Sequence, residues 1–255
     1  MTAVVVPARH AEEVMGTVVS FTVFAPASVD TRTLLQRACD SLQRDDRMFS
    51  TWKPDSPMSR YRAGTLSADE LPDEVVGVLE RCRQLRTLTG GWFDPWAMPG
   101  GVDPTGMVKG WAAQRALDVL VDGGVDAALV NAGGDLAAAG TPPGGGGWRI
   151  GIRHPWQPVA FAAVVAVTAA VATSGDYERP GQLVDPTTGA VSRRAASATV
   201  VGPDLAVADA LATALAVGGS DVFDRFSALS GYEAYLIGVD GLEVATEGMP
   251  FVPEA

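Results

Sequence analysis

The chain has 255 residues, 47% of them hydrophobic and 19% charged, which supports a substantial core and excludes an intrinsically disordered protein. A formal net charge of -11 excludes nucleic-acid binding through a basic stripe, because nothing replaces the phosphate counterions. An anionic ligand would need local help from a metal, a lysine or a helix N-terminus.

Cys39 and Cys82 are far apart, form no CxxC, and read as buried thiols of a reducing compartment. Met1 to Val14 has no basic segment followed by an apolar run; Arg9, Glu12 and Glu13 interrupt it. The expectation is a cytoplasmic protein without a leader. Val159 to Ala172, the most apolar stretch, is too short to span a bilayer, so no membrane insertion is expected. The whole of 1–255 reads as one domain, with 1–14 an N-terminal extension or first strand.

Gly16 to Phe24 is β-branched and aromatic, and predicts a strand. Thr31 to Met48 carries Leu34, Leu35, Ala38 and Leu42 at helical spacing. Phe49 to Gly64, with two prolines and three serines, reads as a loop whose Phe49, Trp52 and Tyr61 either line a ligand or plug a core edge. Asp69 to Thr89 predicts a single helix, closed by Gly90-Gly91. A Gly/Pro-rich turn region follows Trp92-Phe93-Asp94-Pro95; then comes a helix to Val121, with Lys109 at its start. The helix dipole disfavours a lysine there, so Lys109 is either a point charge for a phosphate or a plain surface residue.

Ala127 to Asn131 predicts a short buried strand before the sharp Ala132-Gly133-Gly134-Asp135 turn. Thr141 to Gly147 reads as a flexible link, and Trp148 to Arg153 and Val159 to Ala172 as strands. The polar turn from Thr173 to Tyr177 can direct the Ser174 hydroxyl and the Gly175 amide at a ligand. Leu183 to Gly189 is a turn opened by Asp185-Pro186. Ala198 to Gly202 predicts a strand, Asp204 an N-cap, and Leu205 to Val217 a helix. A short helix (Asp221 to Ser230) and a hairpin about Asp240-Gly241 complete the chain.

Within the Leu205 to Val217 helix, Asp209 and Thr213 are four residues apart, so carboxylate and hydroxyl lie on one face, one turn apart. Two hard oxygen donors held so can grip Mg²⁺. The same spacing also suits a dipole-favoured aspartate and a back-bonding threonine.

Eight stretches in this order resemble the ApbE family, the FAD:protein FMN transferases: MGT (Met15 to Thr17), FSTWKPDSPMSRY, GGWFDP, VDPTGMVKGWA, NAGGD, TSGDY, LVDPTTG and ADALATAL. They run from Met15 to near the C-terminus, well beyond a single-motif match. The resemblance implies a mixed α/β fold, with mixed β-sheets flanked by helices in a two-lobed, T-fold-related architecture holding FAD between the lobes. It implies Mg²⁺ at the FAD pyrophosphate and transfer of FMN to a Thr or Ser hydroxyl of an acceptor flavoprotein, releasing AMP.

Carried over by position, Asp209, Thr213 and the Gly106 carbonyl fall where the family ligates Mg²⁺. Met15, Trp52, Trp92, Phe93, Asp94, Asp103, Lys109 and Leu183 match flavin-nucleotide contacts. The catalytic positions expected are Gln182, Lys109 and Asp209. Two departures stand out. The family usually has histidine where this chain has Gln182, and glutamine cannot accept a proton near pH 7. His154, Asp176 and Asp185 are the replacement bases on offer. Arg62 replaces a usual asparagine, where an arginine could grip phosphate. An FAD pyrophosphatase and a non-catalytic FAD-binding protein therefore remain as alternatives. Asp240 to Thr246 also resembles the family's acceptor motif, Asp-Gly-x-x-x-Ala-Thr, although an ordinary hairpin explains it equally.

Overall fold

The computed structural model describes residues 6–176 and 181–253; Tyr177, which closes the predicted polar turn, lies outside them. The strands are β1 (Ala8–Val14), β2 (Thr17–Phe24), β3 (Ala127–Ala132), β4 (Asp135–Ala139), β5 (Trp148–Arg153), β6 (Phe161–Val167), β7 (Ala170–Ser174), β8 (Ala195–Gly202), β9 (Glu233–Gly238) and β10 (Glu243–Ala245). Eight form one sheet in the order β1-β2-β3-β4-β7-β8-β9-β10, and β5 pairs with β6 apart from it. Each of these pairings is antiparallel. The expected mixed α/β fold, with sheets flanked by helices, is what the chain adopts.

Strand alternation sorts the side chains into two cores. Ala128, Val130, Ala137, Ala170, Ala172, Ala198 and Val200 face the helices. Leu136, Ala138, Val171, Tyr235 and Ile237 pack on the other face against Trp148, Ile150, Val165 and Val167 of the β5–β6 ribbon. The helices are α1 (Thr31–Phe49), α2 (Pro57–Arg62), α3 (Asp73–Leu88), α4 (Thr105–Asp122), α5 (Leu205–Gly218) and α6 (Ser220–Phe223). α4 lies on β3 and β4, α5 on β7 and β8, and the two helices pack against each other.

Several sequence expectations shift. The Phe49 to Gly64 loop contains α2, started by the Ser56 hydroxyl, which accepts from the Ser59 amide at 2.9 Å, and by Pro57 at the first helical position. The single helix expected from Asp69 divides at Leu71-Pro72 into a 3₁₀ turn (Ala68–Glu70) and α3, because proline removes an amide donor. α4 begins at Thr105, so Lys109 sits in its second turn. The apolar run from Val159 breaks at Thr168-Ala169: its first half joins the ribbon and its second half enters the main sheet. β4 was not expected; Ala-rich and short, it carries little strand signal. The expected helix from Asp221 is α6 plus a 3₁₀ turn (Asp224–Ala228).

Candidate active site

Helix α5 is alanine- and leucine-rich and buried on nearly every side, the signature of a core helix. Its two polar residues are Asp209 and Thr213. Asp204 caps it by accepting from the Val207 amide at 3.1 Å, and Arg81 of α3 ties that cap down at 2.5 Å.

Around Asp209 the chain gathers groups distant in sequence. Its Oδ2 accepts from the Gly110 amide of α4 at 3.0 Å, and its Oδ1 lies 3.9 Å from Lys109 Nζ. Lys109 is ion-paired with Asp135, the first residue of β4. Asp135 Oδ1 accepts from the Thr173 amide of β7 at 3.0 Å. Ser174 Oγ, at the end of β7, is 3.4 Å from Thr213 Oγ1. A methyl placed on Gly106 would sit 3.3 Å from Thr213 Oγ1 and 3.3 Å from the Phe93 ring. Gly106, Lys109, Asp209, Thr213, Ser174 and Phe93 thus meet in one place, with Gly175 buried beside Ser174.

Asp135 is the residue that sequence reasoning missed, although it closes the NAGGD turn; its partners lie 26 residues upstream and 38 downstream, so no local pattern reveals it. Asp135 and Asp209 are 1% and 3% exposed. Burial pushes the Asp209 carboxyl above the ordinary carboxylate range, against the pull of the Lys109 ammonium and the Gly110 amide. Two buried carboxylates therefore share one ammonium. An additional cation among Asp209, Thr213 and the nearby hydroxyl of Ser174 would offset that imbalance, and these hard oxygen donors are the kind Mg²⁺ takes. The residues present fit the metal.

Met15 has φ 54°, the sole non-glycine residue at positive φ among the described residues, in the two-residue β1–β2 turn with Gly16. The turn borders the β3–β4 turn: a methyl on Gly133 would lie 2.5 Å from Thr17 Oγ1. A two-residue hairpin loop of this kind takes positive φ at both positions, which Gly16 adopts freely and Met15 adopts at a cost of about 1–2 kcal/mol.

The other residues expected at the flavin nucleotide lie in the surrounding loops. Trp52 is 92% exposed. Asp94 accepts from Arg86 Nε at 2.7 Å and from the Trp96 amide at 3.0 Å. Trp92 lies under the Arg194 guanidinium, 4.9 Å from the ring centre. Asp103 accepts from the Thr105 amide at 3.0 Å and pairs with Arg62 at 3.0 Å. Arg62 also donates to the Val102 and Pro99 carbonyls at 3.0 Å each. Through these contacts Arg62 clamps the loop before α4. Leu183 is buried; its carbonyl accepts from the Ser192 amide at 2.7 Å, and Ser192 Oγ donates to Val217 at 2.8 Å. This ties the neighbouring, exposed Gln182 to the end of α5, one turn beyond Thr213.

Of the alternative bases, His154 sits in the β5–β6 ribbon loop, on the sheet face opposite α5. Asp185 accepts from the Thr187 hydroxyl at 2.6 Å and its amide at 2.8 Å, which hold its carboxyl below the usual range and make it a weak base. Thr246 pairs with Ala234 and contacts Glu233 in the β9–β10 hairpin, as an ordinary hairpin residue would.

The ApbE family model matches residues 15–100 and 97–236. The FAD:protein FMN transferase of Vibrio cholerae is 26% identical, over 77% of this chain and 76% of its own. That of Rhodobacter capsulatus is 35% identical over 55% of this chain and 29% of its own. The solved ApbE protein of Thermotoga maritima superposes with a TM-score of 0.85 at 22% identity, covering 94% of this chain and 97% of that one. The flavin transferase ApbE from Vibrio cholerae gives 0.84 at 22% identity, covering 96% and 100%. With the family model spanning most of the described residues and the fold shared end to end, this chain belongs to the ApbE family.

Proposed function

We propose that the protein is a Mg²⁺-dependent transferase that moves FMN from FAD to a Thr or Ser hydroxyl of an acceptor flavoprotein bearing an Asp-Gly-x-x-x-Ala-Thr-like motif. The observation that carries this is the Asp209–Lys109–Asp135 cluster beside Thr213 and Ser174, in a chain whose relatives are named for that activity. The acceptor oxygen attacks the flavin-side phosphorus, the phosphorus–oxygen bond to AMP breaks, and AMP departs with the bridging oxygen. The hydroxyl proton must leave in the same event.

Asp209, Thr213 and the Gly106 carbonyl would hold Mg²⁺, which when bound neutralises charge on the pyrophosphate oxygens. Lys109 keeps the two buried carboxylates compatible and adds positive charge where the phosphates develop theirs. Met15, Phe93, Ser174 and Gly175 line the flavin-nucleotide side, and Trp52, Trp92, Asp94, Asp103 and Leu183 belong to the surrounding loops. Gln182 orients the acceptor hydroxyl without taking its proton. With His154 on the far sheet face and Asp185 held by Thr187, Asp176, two residues beyond Ser174, is the remaining one of the three replacement groups.

The test is incubation with FAD, Mg²⁺ and an acceptor peptide. Covalently flavinylated peptide plus AMP is the expected product, falling on the order of 10²–10³-fold in Asp209→Ala. Free FMN and AMP without peptide labelling would make the protein a pyrophosphatase; intact FAD would leave it a binder.

A further inference from the structure

A second cluster of metal-ligating side chains lies away from Asp209, at the β1 edge of the sheet. His10 and Glu12 are two residues apart on β1 and share one face of the strand. Cys39 rises toward them from α1, which packs on β1. The ligand atoms of all three lie within 4.8 Å of one another, with His10 Nε2 3.8 Å from Glu12 Oε2. Gln43, one helical turn beyond Cys39, donates to Glu12 Oε1 and leaves Oε2 turned to the histidine.

We propose that His10, Glu12 and Cys39 form a site for a borderline-soft divalent ion, Zn²⁺ foremost, distinct from the oxygen-lined site at Asp209. Bonds of about 2.0–2.3 Å to nitrogen, oxygen and sulfur would draw the three donors together by up to about an ångström around one ion. Glu12 and His10 have the side-chain freedom to do this, as His10 is exposed and Glu12 partly so. The exposed imidazole leaves an entry path and a fourth position for water. A thiol beside an imidazole and a carboxylate selects zinc-like ions, whereas Mg²⁺ prefers oxygen throughout. Burial, with the Glu12 and Asp40 carboxylates, pushes the Cys39 thiol up to about 11, so without an ion it is protonated. On binding, the sulfur–metal bond forms and the thiol proton leaves to solvent, so affinity rises with pH. The ion would fasten β1 to α1 at two adjacent points, and with them the hairpin that ends in Met15-Gly16.

The experiment titrates the full chain with Co²⁺ alone. One equivalent should produce an intense near-ultraviolet thiolate-to-cobalt band, displaced by Zn²⁺ and unaffected by excess Mg²⁺. Cys39→Ser should abolish the band. His10→Ala, a surface change that leaves the fold alone, should weaken affinity about tenfold or more, and Gln43→Leu on the order of tenfold. Absence of a thiolate band in the folded wild type, or undiminished affinity in His10→Ala, overturns the proposal. An all-oxygen site at Asp209 cannot produce that band, so the result does not depend on the proposed flavin chemistry.

Discussion

Gln182 is held beside the end of α5 by the Leu183–Ser192–Val217 links, yet its side chain lies in solvent. It can present a hydrogen bond to an incoming hydroxyl and cannot carry away its proton. General-base help is worth about 10²–10⁴-fold, so Gln182→His should raise the rate of peptide flavinylation on the order of tenfold or more, most clearly above pH 7. Single-turnover kinetics with saturating FAD would show it, and an unchanged or slower rate would remove Gln182 from the proton-transfer step. At this scale the sequence was partly legible. Asp209 and Thr213 announce themselves as the polar pair of an otherwise apolar helix. Asp135 does not, because its meaning comes from Lys109 and Thr173 across the sheet. The partners of Arg62 were equally hidden: the Pro99 and Val102 carbonyls are backbone groups that no motif can name.

The α4–α5 contact turns two helices into a site. A methyl on Gly110 would lie 2.6 Å from the Leu205 carbonyl oxygen and 2.9 Å from Asp209 Cβ, closer than packing allows. Gly110→Ala should therefore push the helices apart, costing about 1–3 kcal/mol of stability. Misplacing Asp209 by even an ångström can cost about 10²-fold in activity. Gly77 in α3 is the contrast: its added methyl meets nothing within 4 Å, so Gly77→Ala should stabilise by about 0.5–1 kcal/mol with activity intact. Urea unfolding and flavinylation rates on both variants check the pair; equal effects would mean that the helix crossing does not govern the site. Elements with sustained periodicity (α1, β2, β5) were legible, as their burial patterns follow their sequence periods, and α5 was legible as an unbroken apolar run after the Asp204 cap. The boundaries failed where one residue decides: Ser56 starting α2, Pro72 dividing the expected helix, Thr168-Ala169 diverting a strand from ribbon to sheet.

The molecule as a whole carries a buried acid unrelated to the flavin site. Asp45 of α1 is fully buried, with Arg44 at 3.5 Å and Arg115 at 3.4 Å. Burial, with the Glu74 carboxylate, holds its carboxyl up to about 7 while Arg44 opposes. The folded chain thus keeps a proton that the unfolded chain loses near pH 4. The stability drawn from neutral Asp45 is complete below that value and disappears as pH rises through 7. Asp45→Asn should gain on the wild type across pH 4–7 by roughly 2–4 kcal/mol and level off above pH 8, measured by urea unfolding at each pH. A constant difference would mean that Asp45 is ionised throughout. The architecture was legible as alternating strands and amphipathic helices. Which strands become neighbours was not, because β5 and β6 leave the sheet between β4 and β7. That excursion and the long spacing between site residues have a kinetic corollary. Met15, Lys109, Asp135, Ser174 and Asp209 are drawn from the first hairpin to the last long helix, so no partial chain contains the cluster. Contacts this distant along the chain close late and slowly, and docking α5 is the step that brings Asp209 to the Gly110 amide and the Lys109 ammonium. A nascent or truncated chain ending before residue 209 would be a sheet without a catalyst.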